Sequence, residues 1–310
     1  MKVGVIGIGR WGTKVAREYI ALMNEGTIDS VVLCDTNESQ LRQFNGCAEL
    51  CNEFNEFIKK VDAIHICTPN NTHYEIAKEA LENNVHVLIE KPMAESLTEA
   101  FKLVELALSK NLVLQVGHIF RFANIVREIR RMYLNNQFGK ILYFNLAWTH
   151  LIPPMRGTDV IYDLLPHPLD ILNFITEEWP IEFNGIGIKV RANTIEACYI
   201  QAIYESRKIA NIHLSWVNPI RRRYIEVVGT KKVLVGDCVT QEATIYDEKE
   251  GKKLDITPNN TIREEISNFI KTIQSGKNEP NSGIVGIRSI EMINKARKSI
   301  KEIGDTYKEF

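Results

Sequence analysis

The sequence lacks a C-x-x-C pair, and its six cysteines match none of the spacings of a zinc site. We therefore expect no metal. Cys34 and Cys67 sit inside apolar runs, where a thiol behaves as a small hydrophobe. This pattern fits reduced structural cysteines in a cytosolic protein. Cys47 and Cys51 lie four apart on a possible helix. No apolar run approaches the ~20 residues that span a bilayer, which argues against a membrane protein. The first strand-like run begins at Lys2, which leaves no room for a signal peptide before it. The expected location is the cytoplasm. Charge of neither sign is in excess, with 38 basic and 39 acidic side chains and a net charge of -1. No global field then draws in nucleic acid or a membrane surface. Internal repeats and low-complexity tracts are absent as well.

What is present is ordinary material for a globular core. Of 310 residues, 45% are hydrophobic and 25% charged. At roughly 150 residues per domain this length suggests two. Apolar runs at Lys2–Gly7, Ser30–Cys34, Ala63–Cys67, Val85–Ile89 and Leu112–Val116 are short and nearly continuous, as strands buried on both faces should be. Helical patterns lie between them, and Ser96 with Glu99 forms a capping-box signature for the last one. This alternation predicts an α/β domain over residues 1–118, with a parallel sheet that binds ligands beyond its strands' carboxyl ends. After His118 the rhythm changes to a few helices and many alternating segments. Residues 119–310 are expected to form a second, α+β domain with a mostly antiparallel open sheet. The first part carries a net charge of -5 and the second +4. The densest basic cluster, Arg221, Arg222 and Arg223, alternates faces if extended, so its members cannot all reach one ligand.

Gly7-Ile8-Gly9-Arg10-Trp11-Gly12 fits G-x-G-x-x-G, directly after a strand and opening a helix. Gly7 permits the tight turn, Gly9 lets the backbone approach a pyrophosphate, and Gly12 lets the helix pack closely. The helix N-terminus offers free N–H groups and partial positive charge. Asp35 ends the second strand, 23 residues past Gly12. A carboxylate there accepts from ribose hydroxyls and repels a 2′-phosphate, which favours NAD over NADP. Arg42 is the nearest basic side chain.

Polar sets follow the later strands: Thr68-Pro69-Asn70-Asn71-Thr72-His73, Glu90-Lys91-Pro92 and Gln115-Val116-Gly117-His118. A fourth set, Asp163 to Asp170, holds Asp163 and His167 four apart. Pro166 and Pro168 disfavour an interior helix there, so a helix starting near His167 is expected, with Asp163 in the preceding turn. Hydride transfer from an alcohol needs a base for the hydroxyl proton and a cation beside the developing alkoxide. His167 suits the first role, with an ordinary pKa near 6.5. Lys91 suits the second. Asp163 can orient His167 or bind a substrate hydroxyl.

The order G-x-G-x-x-G, Asp35, Thr-Pro-Asn-x-x-His, Glu-Lys-Pro and Asp-x-x-x-His resembles the glucose–fructose oxidoreductase / inositol dehydrogenase (Gfo/Idh/MocA) family. The resemblance implies a Rossmann domain followed by an open sheet that commonly mediates dimers or tetramers. It implies oxidation or reduction of sugars, cyclitols or nucleotide sugars with NAD(P). Lys91, Asp163 and His167 match the family's catalytic positions. Arg10, Trp11, Thr68, Pro69, Asn71, His73 and Glu90 fall where the cofactor is contacted, with Gln115 and His118 near nicotinamide and substrate. The stretch Gly157–Tyr162 departs from the usual glycine-rich pattern, and prolines flank His167. Glu90–Ala94 with Gly117–Phe122 resembles members acting on UDP-linked N-acetylated sugars, which makes Arg121 and Arg156 candidates for a diphosphate or carboxylate. An NAD-dependent glycosidase would use the same residues, and a redox sensor or scaffold would need only the cofactor site.

Overall fold

The computed structural model describes residues 1–155, 157–276 and 281–303. The chain divides into two compact units, Met1–Ile119 with Thr261–Ile290, and Phe120–Asn260 with the segment from Glu291 onward.

In the first unit the apolar runs form β1 (Lys2–Ile6), β2 (Ser30–Cys34), β3 (Glu49–Cys51), β4 (Ala63–Ile66), β5 (His86–Glu90) and β6 (Leu114–Gly117). All pair in parallel in the order β3-β2-β1-β4-β5-β6. Helices α1 (Gly12–Asn24), α2 (Glu38–Leu41), α3 (Phe54–Phe57), α4 (His73–Glu82) and α5 (Leu97–Ser109) connect them. Residues alternate across each strand, so the sheet carries two cores. Val3, Val5, Val31 and Leu33 pack with Val15 and Tyr19 of α1. Ile64, Ile66, Val87 and Ile89 pack with Ala77 and Leu103 of α4 and α5. The Ser96–Glu99 capping box is present at the start of α5. Strand order reverses between β1 and β4, the place where such sheets bind ligands.

The second unit begins with α6 (Asn124–Leu134), β7 (Ile141–Leu151), α7 (Val160–Leu164) and α8 (Pro166–Thr176). Strands β8 (Glu182–Lys189), β9 (Ile195–Ile203), β10 (Ile209–Ser215), β11 (Val217–Gly229), β12 (Val233–Asp237), β13 (Glu242–Tyr246) and β14 (Gly251–Lys253) follow. The chain closes with α9 (Thr261–Ser275), α10 (Gly283–Ser299) and β15 (Ile300–Ile303). The nine-stranded sheet has the order β14-β13-β12-β11-β7-β10-β9-β8-β15. It is mostly antiparallel, with parallel pairs only at β7–β10 and β8–β15. One face is buried through Phe144, Leu146, Trp148, Ile200, Ile212, Leu214 and Ile225. The opposite face presents Tyr199, Gln201 and His213.

Two features differ from the sequence reading. The segment 119–310 is not one continuous unit, because Ile266 and Ile270 of α9 pack into the α1 side of the first sheet. Cys51 is not helical; it lies in β3 beside Cys34, while Cys47 is exposed in a turn. Among the described residues no helix is long and apolar enough to cross a membrane.

Candidate active site

The glycine loop leaves β1 and enters α1, and each glycine has its own reason. Gly7 has φ +89, and a Cβ there would stand 2.7 Å from the Thr68 nitrogen. At Gly12 a Cβ would lie 1.8 Å from the Gly7 oxygen. Gly9 faces open space, with nothing within 4 Å of its would-be Cβ. Helix α1 has no side-chain N-cap and no acidic residue in its first turn. An uncapped positive end next to a bare backbone fits a phosphate, and an open cradle at Gly9 fits the pyrophosphate of a dinucleotide. Arg10 is exposed beside it. Asp35 reaches back to this loop: its Oδ2 accepts from the Ile8 N–H at 2.6 Å and its Oδ1 from the Asn37 N–H at 2.8 Å. Each carboxylate oxygen still has a lone pair for a ribose hydroxyl. Arg42 is exposed, 3.8 Å from Glu38.

Beyond β4 and β5 the structure separates residues that the sequence groups together. Asn71 is exposed, and Thr68 and Lys91 are half-buried. His73 is wholly buried, with one ring nitrogen 2.9 Å from the Pro92 carbonyl oxygen and the other 3.0 Å from that of Thr68. It latches the Thr-Pro-Asn loop to the Lys-Pro turn rather than facing a ligand. Burial pushes its pKa down. Gln115 is buried as well, and its amide donates to Thr272 of α9 at 2.9 Å. It joins β6 to a helix instead of opening onto a cofactor. His118 is 2% exposed.

Glu90 sits where Gly117 makes room; a Cβ on that glycine would come within 2.9 Å of its carboxylate. It accepts from the Trp11 indole and lies 3.3 Å from His65 Nε2. Burial alone would raise its pKa, but His65, Trp11 and the neighbouring Lys91 outweigh that and hold it below the usual range. Trp11 thereby ties the glycine loop to the end of β5, just before Lys91. The donor atoms of His65, Cys67 and Glu90 lie within 4.8 Å of one another. Burial pushes the Cys67 thiol pKa up.

In the second unit Asp159 caps α7 by accepting from the Tyr162 N–H at 2.8 Å. Pro166 begins α8, where a missing N–H costs nothing. Asp163 therefore lies in a short helix, not in the turn the prolines suggested. From Asp159 to Leu172 every residue is buried except Asp163 and His167. Two polar side chains four apart are thus the half-buried points of the otherwise buried run from Asp159 to Leu172. Phe120 packs edge-on against both His167 and Trp148, with ring centroids 5.1 Å and 5.4 Å away. Asp163 Oδ2 accepts from the Trp216 indole at 3.0 Å.

Arg121 does not face a ligand. Its Nε donates to Asp170 at 2.6 Å and its Nη2 to Asn173 at 2.9 Å, with both members of the ion pair buried. Arg156 lies outside the described residues. Sequence reasoning missed Trp216 and His65. Arg221 and Arg222 are both exposed while Arg223 turns inward; strict alternation would put Arg221 and Arg223 on one face, and the register of β11 against β7 is irregular between Val217 and Arg222. Arg223 donates to the Thr149 and Arg222 carbonyls and approaches His150 Nδ1. Burial and Arg221 push its pKa down to about 10, against the opposing influence of Asp163 and Asp237.

Comparison with known proteins places this geometry. Residues 1–118 match the model of the oxidoreductase family with an NAD-binding Rossmann fold, and residues 126–235 match the GFO/IDH/MocA C-terminal domain. The chain belongs to the Gfo/Idh/MocA oxidoreductase family. Among relatives, UDP-N-acetylglucosamine 3-dehydrogenase of Acidithiobacillus ferrooxidans is 26% identical, covering 97% of both chains. Myo-inositol 2-dehydrogenase of Thermotoga maritima is 24% identical, again over 97% of both. The solved structure of the former superposes with a TM-score of 0.87 at 24% identity, covering 97% of each chain. A 3-ketoreductase from Actinomadura kijaniata, in complex with TDP-benzene and NADP, gives 0.85 at 17% identity over 98% of each chain. Likenesses this distant show the shared fold.

Proposed function

We propose that this Gfo/Idh/MocA protein is an NAD-dependent dehydrogenase acting on a hydroxyl of a sugar, cyclitol or nucleotide sugar, with UDP-linked N-acetyl sugars as the first class to test. The single observation that carries this reading is that Asp163 and His167, four apart, are the half-buried positions in the otherwise buried run from Asp159 to Leu172. Four apart, the two side chains share one helical face, so both can meet the same ligand. The relatives that match along almost the whole chain are sugar-nucleotide and cyclitol dehydrogenases by name, which supports the substrate class.

Gly7, Gly9, Gly12 and the N-terminus of α1 would hold the pyrophosphate, and Asp35 the adenosine ribose hydroxyls. A second negative charge beside Asp35 would be repelled, which favours NAD over NADP. Bound NAD supplies the acceptor for the hydride that leaves the substrate carbon. His167 takes the hydroxyl proton, and the Lys91 ammonium favours the alkoxide that develops as it leaves. Asp163 fixes the substrate hydroxyl or the imidazole. Absorbance at 340 nm with NAD and a panel of UDP-sugars, free sugars and inositols tests this reading. NADH formation from a member of the panel supports it, and NAD-linked stabilisation without turnover on any member counts against it.

The partner we infer is a second copy of the chain, giving a homodimer or homotetramer through the open face of the second sheet. Tyr199 and Ile186 stand 60% and 47% exposed there, around a concavity of ≈ 570 Å³. The cytoplasm is the compartment in which NAD and nucleotide sugars would both be at hand.

A further inference from the structure

We propose that Trp216 is a positioning residue for Asp163, and that its indole N–H sets the direction in which the carboxylate meets substrate. This rests on the role given to Asp163 above.

Trp216 stands between β10 and β11, where the chain passes over the end of β7. Both of its backbone groups are tied. Its N–H donates to the Glu196 carbonyl at 2.8 Å, and its carbonyl accepts from the Ile152 N–H at 3.1 Å and from Arg191 Nη2 at 3.3 Å. The side chain is wholly buried. Behind it lies a second tier. Glu196, also wholly buried, pairs with Arg191 at 3.0 Å, and Arg191 Nη2 donates to the Ile152 carbonyl at 2.7 Å. An ion pair between half-buried Arg191 and buried Glu196 thus holds the backbone, the backbone holds the indole, and the indole holds Asp163 Oδ2 at 3.0 Å.

The carboxylate needs such a hold. Helix α7 has five residues, too few to be stable alone, and a carboxylate there takes its direction from outside its own helix. An indole N–H suits the task because it only donates. It cannot take a proton from Asp163 or carry a competing charge. The bond is also specific. Trp148 is equally buried, and its Nε1 has no partner among the described residues, so this unit does not supply a carboxylate to every buried indole.

The test is a double-mutant cycle read as kcat and KM for the NAD-linked reaction, using Trp216→Phe, Asp163→Asn and the double variant. Trp216→Phe is expected to lower kcat at least tenfold with KM for NAD within threefold. In the Asp163→Asn background the same change is expected to cost less than twofold, because coupled residues are non-additive. An equal loss in both backgrounds, or an unchanged kcat in Trp216→Phe, overturns the proposal. Where Trp216→Phe fails to fold by circular dichroism, site-specific replacement of that indole by benzothiophene keeps the shape and removes only the donor, and the same criteria apply. Asp163→Asn at wild-type turnover would overturn the role of Asp163 itself, and this inference with it. That outcome differs from the failure of Trp216 alone.

Discussion

At the scale of single residues, Thr68 and Lys91 are half-buried while His73 and Gln115 are wholly enclosed. Gly7, Gly12 and Asp35 do structurally what their spacing suggested: the first two have no room for a Cβ, and the third ends its strand against the glycine loop. His73, Gln115 and Arg121 sit at the expected chain positions but point into the protein. Nothing local in the sequence says which way they turn, because their partners Pro92, Thr272 and Asp170 lie 19, 157 and 49 residues away. Trp216 was invisible for the same reason, 53 residues from Asp163. Arg121 gives a sharp prediction. Removing one member of a buried ion pair strands the other charge, at a cost of about 3–5 kcal/mol. Arg121→Ala is expected to lose that much stability in denaturant unfolding. A substrate-binding Arg121 would instead raise KM and leave the unfolding midpoint unchanged, and that result would restore it to the ligand.

At the scale of elements, long periodic segments were legible and short ones were not. The helices at His73–Glu82 and Leu97–Ser109 and the strand at Ser30–Cys34 fall where the pattern put them. Strand β3 and helix α3, three and four residues long, are below the length at which periodicity speaks. Strand β15 continues an apolar pattern that reads as helix, and only its pairing with β8 makes it extended. The His73 latch joins the loop after β4 to the turn after β5, and it makes stability depend on pH. Burial lowers its pKa in the folded state below the ordinary 6.5, so the unfolded chain takes the proton more readily. Stability from this group is full above about 6.5 and is lost as pH falls through the window below it. The melting temperature is expected to fall from pH 7 to pH 5.5, less steeply in His73→Gln than in wild type. His86 and His213, also lowered by burial, leave part of the slope in the variant. Equal slopes in the two proteins would show that the latch does not titrate in this range.

At the scale of the whole molecule, the α/β alternation followed by antiparallel strands announced both sheets. The return of α9 to the first unit was not legible, because its apolar stripe does not say which sheet it covers. The open face of the second sheet leads to a prediction about assembly. Tyr199 stacks on His213 in its middle, with ring centroids 4.3 Å apart, and large exposed apolar patches mark association surfaces. Light scattering is expected to give a mass of two or four chains of 35.5 kDa, and Tyr199→Arg is expected to shift it toward one. A monomeric wild type would remove this surface from the account. The central claim is catalytic, and one comparison tests it most directly: NADH formation at 340 nm by wild type and by Lys91→Ala, on a substrate found in the sugar panel, with NAD affinity measured in both. The account predicts turnover lower by several orders of magnitude in Lys91→Ala and NAD affinity within a few-fold of wild type. Wild-type turnover in that variant would contradict it.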